Sequence, residues 1–418
     1  MNFFDFLNYA VTPYHTVDAI KQILGASKDK TGEITIFERG GALIAVRAPK
    51  VVCADSKFRI ALAHTDFPAL KITPNPDSTA AGIQTLHPEI YGSPIYTSWH
   101  DRDLGYAGLL AYEFNGEIQT KLFRGNKFVR IPQLAVHLNR GVNQDGLKVN
   151  PQTDLNALWT ASLGTKFADM LQREVPAGGK LLDFDVQLFD VQGAQRGGLN
   201  DEWIFSGRLD NLSSCHAIAE AMANAVPHEK DFLVAAFFNN EEVGSETREG
   251  AAGNFLKSVL EEVLACSLHS APTSLRGSET TEAISLPTIL AESLALSIDM
   301  AHACHPNFVQ KHEPNHAPVL GGGIVLKVNT QKRYASDVFS NARFKLLCEQ
   351  NNIPYQTFVM RNDMPCGSTV GPAISSSLGI PTVDIGEPML SMHSIREMTA
   401  VKDHTDMTKL LEAFFVSP

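Results

Sequence analysis

No CxxC pair occurs among the six cysteines, which stand singly at 53, 215, 266, 304, 348 and 366. Thiols scattered in this way exclude a disulfide frame and a cysteine-ligated zinc site, and they fit a reducing compartment. No apolar run approaches the ~18–20 residues that a membrane span requires. The opening stretch Met1–Ala10 has no basic start and is broken by Asp5 and Asn8, so no secretory signal is expected there and a cytoplasmic location is. Basic charge is in deficit. Against 46 Asp+Glu stand 35 Lys+Arg, a net −11, which argues against nucleic acid as a partner because phosphate binding needs clustered Lys and Arg. Repeats and low-complexity tracts are also absent, which removes solenoids and propellers. What remains is an ordinary globular composition, 44% hydrophobic over 418 residues, enough for two domains or one large domain with an insertion.

Several apolar segments read as short strands that end in chemically loaded residues. Phe58–Ala63 alternates and runs into His64-Thr65-Asp66, while Phe232–Phe238 is continuously apolar, as in a strand covered on both faces, and precedes Asn239-Asn240-Glu241-Glu242. Leu294–Ile298 leads into Asp299, and Pro381–Ile385 precedes the Gly386–His393 loop. Helical spacing marks Leu212–Val226, with Asn211 as a candidate N-cap, and helices are expected at Ala251–Ala265 and Val338–Asn351. Strands alternating with helices predict an α/β domain with a mainly parallel sheet flanked by helices, its chemistry beyond the carboxyl ends of the strands. The stretch 86–199 differs, with short alternating runs at Ile83–Ile95, Leu104–Phe114, Glu117–Val129 and Leu181–Val191. It predicts an inserted β-rich domain, with 1–85 and 200–418 forming the discontinuous α/β domain and Gln192–Asn200 as the return linker. Such a sheet is expected to have open edges, which oligomerisation often covers.

His64, Asp66, Asp210, Glu241, Glu242, Asp299 and His393 all fall at these strand ends or helix starts. Singly, each has an ordinary reading: a satisfied loop histidine, a helix cap, a solvated acid pair. Together they form a nitrogen and oxygen donor set without sulfur, which suits zinc, manganese or cobalt in a catalytic site. His64 can bind one ion while Asp66 holds its imidazole tautomer. Asp210, with two carboxylate oxygens, can bridge two ions at the usual dinuclear spacing of roughly 3.5–4 Å. Of the adjacent glutamates, one can bind metal while the other takes a proton as general base.

The motifs His64-Thr65-Asp66, Arg208-Leu209-Asp210-Asn211-Leu212, Asn240-Glu241-Glu242-Val243-Gly244-Ser245, Ser297-Ile298-Asp299-Met300-Ala301-His302, His305-Pro306-Asn307, Lys311-His312 and Met392-His393-Ser394-Ile395-Arg396-Glu397 resemble those of the aspartyl aminopeptidases, cocatalytic-zinc metallopeptidases. The resemblance runs in the family's order from about Phe4 to Phe415. It implies a zinc-exopeptidase α/β domain, an inserted β-rich dimerisation domain, and a tetrahedral homododecamer built from dimers. It implies two Zn2+ per subunit, with Mn2+ or Co2+ possible in one position. One ion would be held by His64, Asp210 and Asp299, the other by Asp210, Glu242 and His393, with Glu241 as general base. His137 matches a histidine that a neighbouring subunit lends to the substrate carbonyl. Lys327 matches the lysine facing the acidic side chain of the substrate's first residue. The implied reaction removes N-terminal Asp or Glu from peptides, and the Asp210–Asn211 peptide bond is expected to be cis.

Three positions depart from the family pattern. Phe67 stands where Ser is usual, Asn239 where Asp is usual, and Asp154 where His is usual. None is a proposed ligand, but they leave the strictness of substrate choice open. A dinuclear exopeptidase with a neutral preference is the alternative. A catalytically silent assembly protein is a weaker one, since such relatives normally lose a ligand or the base. The cluster His302, His305, His312 and His316 is expected to be structural, as is Cys366, and Gly321-Gly322-Gly323 is read as a tight turn before the Ile324–Val328 strand.

Overall fold

The computed structural model describes residues 1–25, 33–226, 228–270 and 285–416. At its centre lies an eight-stranded sheet in the order Thr35–Arg39, Ala42–Arg47, Phe232–Phe238, Phe58–His64, Leu294–Ile298, Thr382–Gly386, Ile324–Val328, Tyr355–Val359. The middle strands are parallel, and the antiparallel pairings lie on either side of them. The continuous apolar run Phe232–Phe238 is buried throughout because helices cover both faces. Leu233, Ala235 and Phe237 join one core with helices Phe3–Tyr9, Pro13–Gly25, Leu209–Asn224 and Val401–Val416. Phe232, Val234, Ala236 and Phe238 join the other, with helices Phe255–Ser270 and Val370–Leu378. The α/β reading therefore holds, strand by strand.

This parallel register positions the chemistry. Phe58–His64 lies between Phe232–Phe238 and Leu294–Ile298 and runs parallel to both, so His64, the Glu241-Glu242 pair and Asp299 emerge along one edge.

A second, antiparallel sheet has seven strands in the order Lys180–Asp190, Ala69–Ala80, Ile83–Tyr91, Ala157–Thr160, Val129–Arg130, Asp103–Phe114, Glu117–Arg124. Lys180–Asp190 also pairs with Asp103–Phe114, which closes six of the strands into a barrel and leaves Glu117–Arg124 as the outlying strand. The open sheet expected from sequence is thus mostly closed. The strand that makes closure possible is Ala69–Ala80, whose alternation is broken by Pro74 and Pro76 and whose register slips between Ile72 and Asp77. The expected boundary at 86 falls inside the strand Ile83–Tyr91. A third sheet joins Gln195–Gly197, Trp203–Ser206, Glu397–Ala400, Pro388–Leu390 and Ala301–His302. The return segment thus contributes one short strand before the chain re-enters the α/β unit.

Candidate metal centre and active site

Five side chains converge at the strand edge as two groups that share one member. His64 Nε2 lies 3.4 Å from Asp210 Oδ1 and 3.5 Å from Asp299 Oδ1. His393 Nε2 lies 3.6 Å from Asp210 Oδ2 and 3.5 Å from Glu242 Oε2. These separations are long for hydrogen bonds. They match the edge of a zinc ligand tetrahedron, about 3.3–3.5 Å for ligands at the usual bond lengths. Asp210 turns one oxygen to each group, and its buried Oδ1 has no hydrogen-bond partner among the described residues. His64, Asp210 and Glu242 also bring one ligand atom each within 4.8 Å of one another. An orphaned carboxylate oxygen between two imidazole nitrogens fits a bridging metal ligand.

Both rings present Nε2 because Nδ1 is engaged elsewhere. His64 Nδ1 is 3.0 Å from the Asp66 carbonyl oxygen, and His393 Nδ1 is 3.1 Å from that of Ser93. The tautomer of His64 is therefore set chiefly by the Asp66 main chain, with the carboxylate at 3.5 Å. The fully buried Asp66 carboxylate has a further task. Its oxygens accept the backbone N–H groups of Glu241 and Glu242, each at 3.1 Å, and the Tyr91 hydroxyl at 2.7 Å. Glu397, also buried, accepts the N–H groups of His393 and Asp210. Asn211 does not cap the helix. Its Nδ2 donates to the Ile298 carbonyl, tying Leu209–Asn224 to the strand before Asp299. The Asp210–Asn211 bond is cis. Tyr91 and Ser93 carry no local sequence signal, because their partners lie elsewhere along the chain, whereas Glu397 closes the motif that begins at Met392 and also reaches Asp210.

The charges of this cluster call for cations. Burial favours the neutral ring of His64, yet Asp210, Asp299 and Asp66 hold it well above its ordinary pKa. His393 is lifted against burial to about 10 by Asp210 and Glu242. Burial would raise Asp210 too, but His393 and His64 keep it well below the carboxylate range. Glu241 is pushed up to about 8, first by burial, with Asp299, Asp66 and Asp210 adding to it against the pull of His64. Glu242 is raised well above its usual value by burial and Asp210. Bound divalent ions would counter the upward shifts of the histidines and glutamates, leave both glutamates ionised and keep Asp210 low.

The cluster opens into a cavity of about 510 Å³ lined also by His302, Lys327, Arg333, Tyr334, Phe358 and Ser368. Lys327, 2% exposed, has Nζ 3.1 Å from Asp299 Oδ2 and 5.6 Å from the centre of the Tyr334 ring. It therefore faces the cavity with a carboxylate already beside it.

Residues 6–415 match the model of the aminopeptidase I zinc metalloprotease family, M18. The chain belongs to the M18 zinc aminopeptidases. It is 37% identical to "Probable M18 family aminopeptidase 2" of Pseudomonas aeruginosa (strain UCBPP-PA14), over 99% of this chain and 97% of that one. With the Streptomyces avermitilis protein of the same name the identity is 38%, over 98% and 95%. Among solved structures, yeast aminopeptidase 1 is similar with a TM-score of 0.82 and 28% identity, covering 99% of this chain and 95% of that chain. A dodecameric structure of the S. cerevisiae protein matches equally well. The chain is thus a metalloaminopeptidase, a hydrolase, and its neighbours share the fold.

In this M18 chain His137 lies on an exposed segment and does not line the cavity of its own subunit. Phe67 is buried and lines a small hollow behind Asp210 and His393, outside the main cavity, with the Arg208 guanidinium 5.7 Å from its ring centre. Asp154 closes a surface turn by accepting the Asn150 N–H. Asn239 donates Nδ2–H to Glu249, a bond that the family's usual Asp could not make without a like-charge clash. Of the histidine cluster, His312 accepts the His305 N–H, His305 accepts the Asn307 N–H, and His316 pairs with Glu313, all turn-forming contacts. Only His302 of the four reaches the main cavity. Among the described residues no helix is long and apolar enough to cross a membrane.

Proposed function

We propose that this aminopeptidase removes N-terminal Asp and Glu from peptides, using two zinc ions per subunit that share Asp210. The observation that carries the two-ion reading is the pair of donor groups joined through Asp210, with His64 and Asp299 on one side and Glu242 and His393 on the other. Zinc bound there would polarise the scissile carbonyl and make water a nucleophile near neutral pH. Glu241 takes the proton from the attacking water and delivers it to the leaving amine. Its position depends on Asp66, which grips the backbone of both glutamates and is braced by Tyr91 from the barrel. Manganese or cobalt in one position is compatible with the same donors.

Lys327 supports the acidic preference, as a buried cation in the wall of the cavity. One observation favours the neutral alternative: Lys327 is already paired with Asp299. A panel of Asp-, Glu-, Ala- and Leu-aminoacyl substrates decides between them. The expected result is a kcat/KM for the acidic pair that exceeds the neutral pair by at least tenfold. Equal or higher values for Ala and Leu would sink the acidic reading and leave the aminopeptidase intact.

The barrel unit is proposed as the dimerisation domain of a tetrahedral dodecamer working in the cytoplasm. Leu134, Val136 and Leu138 are exposed on the segment that carries His137, apolar side chains that a partner surface would cover. His137 is proposed to enter the neighbour's active site and donate to the substrate carbonyl. Mixing Glu241→Gln protomers with His137→Ala protomers should then regenerate activity in hybrids. Absence of rescue, with hybrids shown to form, would mean that His137 does not act in trans.

A further inference from the structure

Two basic side chains, the buried Lys327 and the exposed Arg333, line the cavity without being candidate ligands, and they differ also in their partners. Lys327 spends part of its charge on Asp299. Arg333 has no carboxylate within ion-pair distance among the described residues. Its Nε–H donates to the Cys366 carbonyl at 3.2 Å, and neither terminal nitrogen has an acceptor among the described residues. The residue is tied down at two further points. Its carbonyl accepts the Ser368 hydroxyl at 3.0 Å, and its backbone N–H points to Asn329 Oδ1 at 3.4 Å. A guanidinium held through Nε keeps its outer N–H groups available as a fixed fork, the geometry that grips a carboxylate through two parallel hydrogen bonds.

We propose that Arg333 is a specificity-determining residue, its fork taking the side-chain carboxylate of the substrate's first residue. The assignment rests on the acidic reading above and names the group that carries it out. Lys327 is buried against the candidate ligand Asp299, and its contact there steadies that carboxylate. Removing Lys327 therefore reaches the reaction of every substrate, whereas removing Arg333 reaches only those with an acid to hold. An arginine at an exposed cavity wall is partly screened by water, so its effect is smaller than that of a buried pair.

The test compares kcat/KM for Asp-, Glu-, Ala- and Leu-aminoacyl substrates in wild type, Arg333→Ala, Arg333→Lys and Lys327→Ala, with metal content measured alongside. In Arg333→Ala the Asp/Ala ratio is expected to fall about 10- to 100-fold at wild-type metal content. Arg333→Lys should recover part of the ratio, since it restores charge without the fork. Lys327→Ala should depress all four substrates. A wild-type preference for Asp that survives Arg333→Ala, or an equal fall for all substrates, overturns the assignment while leaving the acidic reading standing. A wild type with no Asp/Ala preference overturns both.

Discussion

Glu241→Gln is expected to keep the metal content of the wild type and lose on the order of 10²–10⁴-fold in kcat. Glutamine has the same shape but cannot take a proton from water, so the variant isolates the acid–base step. The adjacent Glu242→Gln should behave differently. Glu242 Oε2 lies 3.5 Å from His393 Nε2, beside one oxygen of Asp210, whereas Glu241 has no ion-pair contact with either histidine among the described residues. Neutralising Glu242 should therefore weaken one metal position and lower turnover through lost metal. Metal analysis and kcat measured on both variants separate the two roles. The reverse pattern would mean that the assignment of base and ligand is inverted. Misfolding is not a concern for this pair, because Asp66 holds the main chain of both residues whichever side chain is changed.

Asp210→Ala is expected to lose metal from both positions at once and to leave no measurable activity. Without Asp210 the first group retains His64 and Asp299 and the second retains Glu242 and His393, two ligands each where a zinc site needs at least three. Any substitution of a residue outside the shared position should affect one ion more than the other. Chelation of the wild type should give the same inactive state, reversibly. Acid should promote it, and the sign follows from the imidazoles. Both are held above their ordinary pKa in the metal-free cluster, His393 at about 10, and each must shed its proton to bind an ion. Metal affinity should therefore rise with pH across the range below 10, by roughly tenfold per unit for each proton displaced. Affinity independent of pH between 6 and 8 would count against these histidines as ligands.

The candidate ligands His64, Glu242 and Asp299 were legible in the sequence because they end or follow strands whose own pattern is plain, while Asp210 opens a helix and His393 sits in a loop. Phe232–Phe238 is apolar without interruption, and the glutamates that follow it could only lie at the sheet's edge. What holds the ligands was not legible. Tyr91 reaches Asp66 from a barrel strand, Ser93 receives His393 from 300 residues away, and Glu397 joins the backbones of Asp210 and His393. No periodicity encodes contacts of that kind, since the first two depend on where the barrel unit settles against the α/β unit and the third on how distant segments of the α/β unit meet. The barrel's closure was hidden for a local reason. Ala69–Ala80 contains two prolines and a register slip, so it does not alternate as a strand should, yet it supplies the neighbour for both Ile83–Tyr91 and Lys180–Asp190. The motifs shared with the aspartyl aminopeptidases identified the family, and the fold agrees with it. The contact between Lys327 and Asp299 follows from burial, because a lysine among buried apolar neighbours must find a negative charge.

Zinc titration into the chelated protein, with turnover of an Asp-aminoacyl substrate and bound metal followed together, addresses the shared-aspartate site most directly. The expected result is that activity returns in step with about two equivalents per chain in the wild type, and that Asp210→Ala takes up neither ion tightly. Full activity at one equivalent, or turnover that persists after exhaustive chelation, would contradict it.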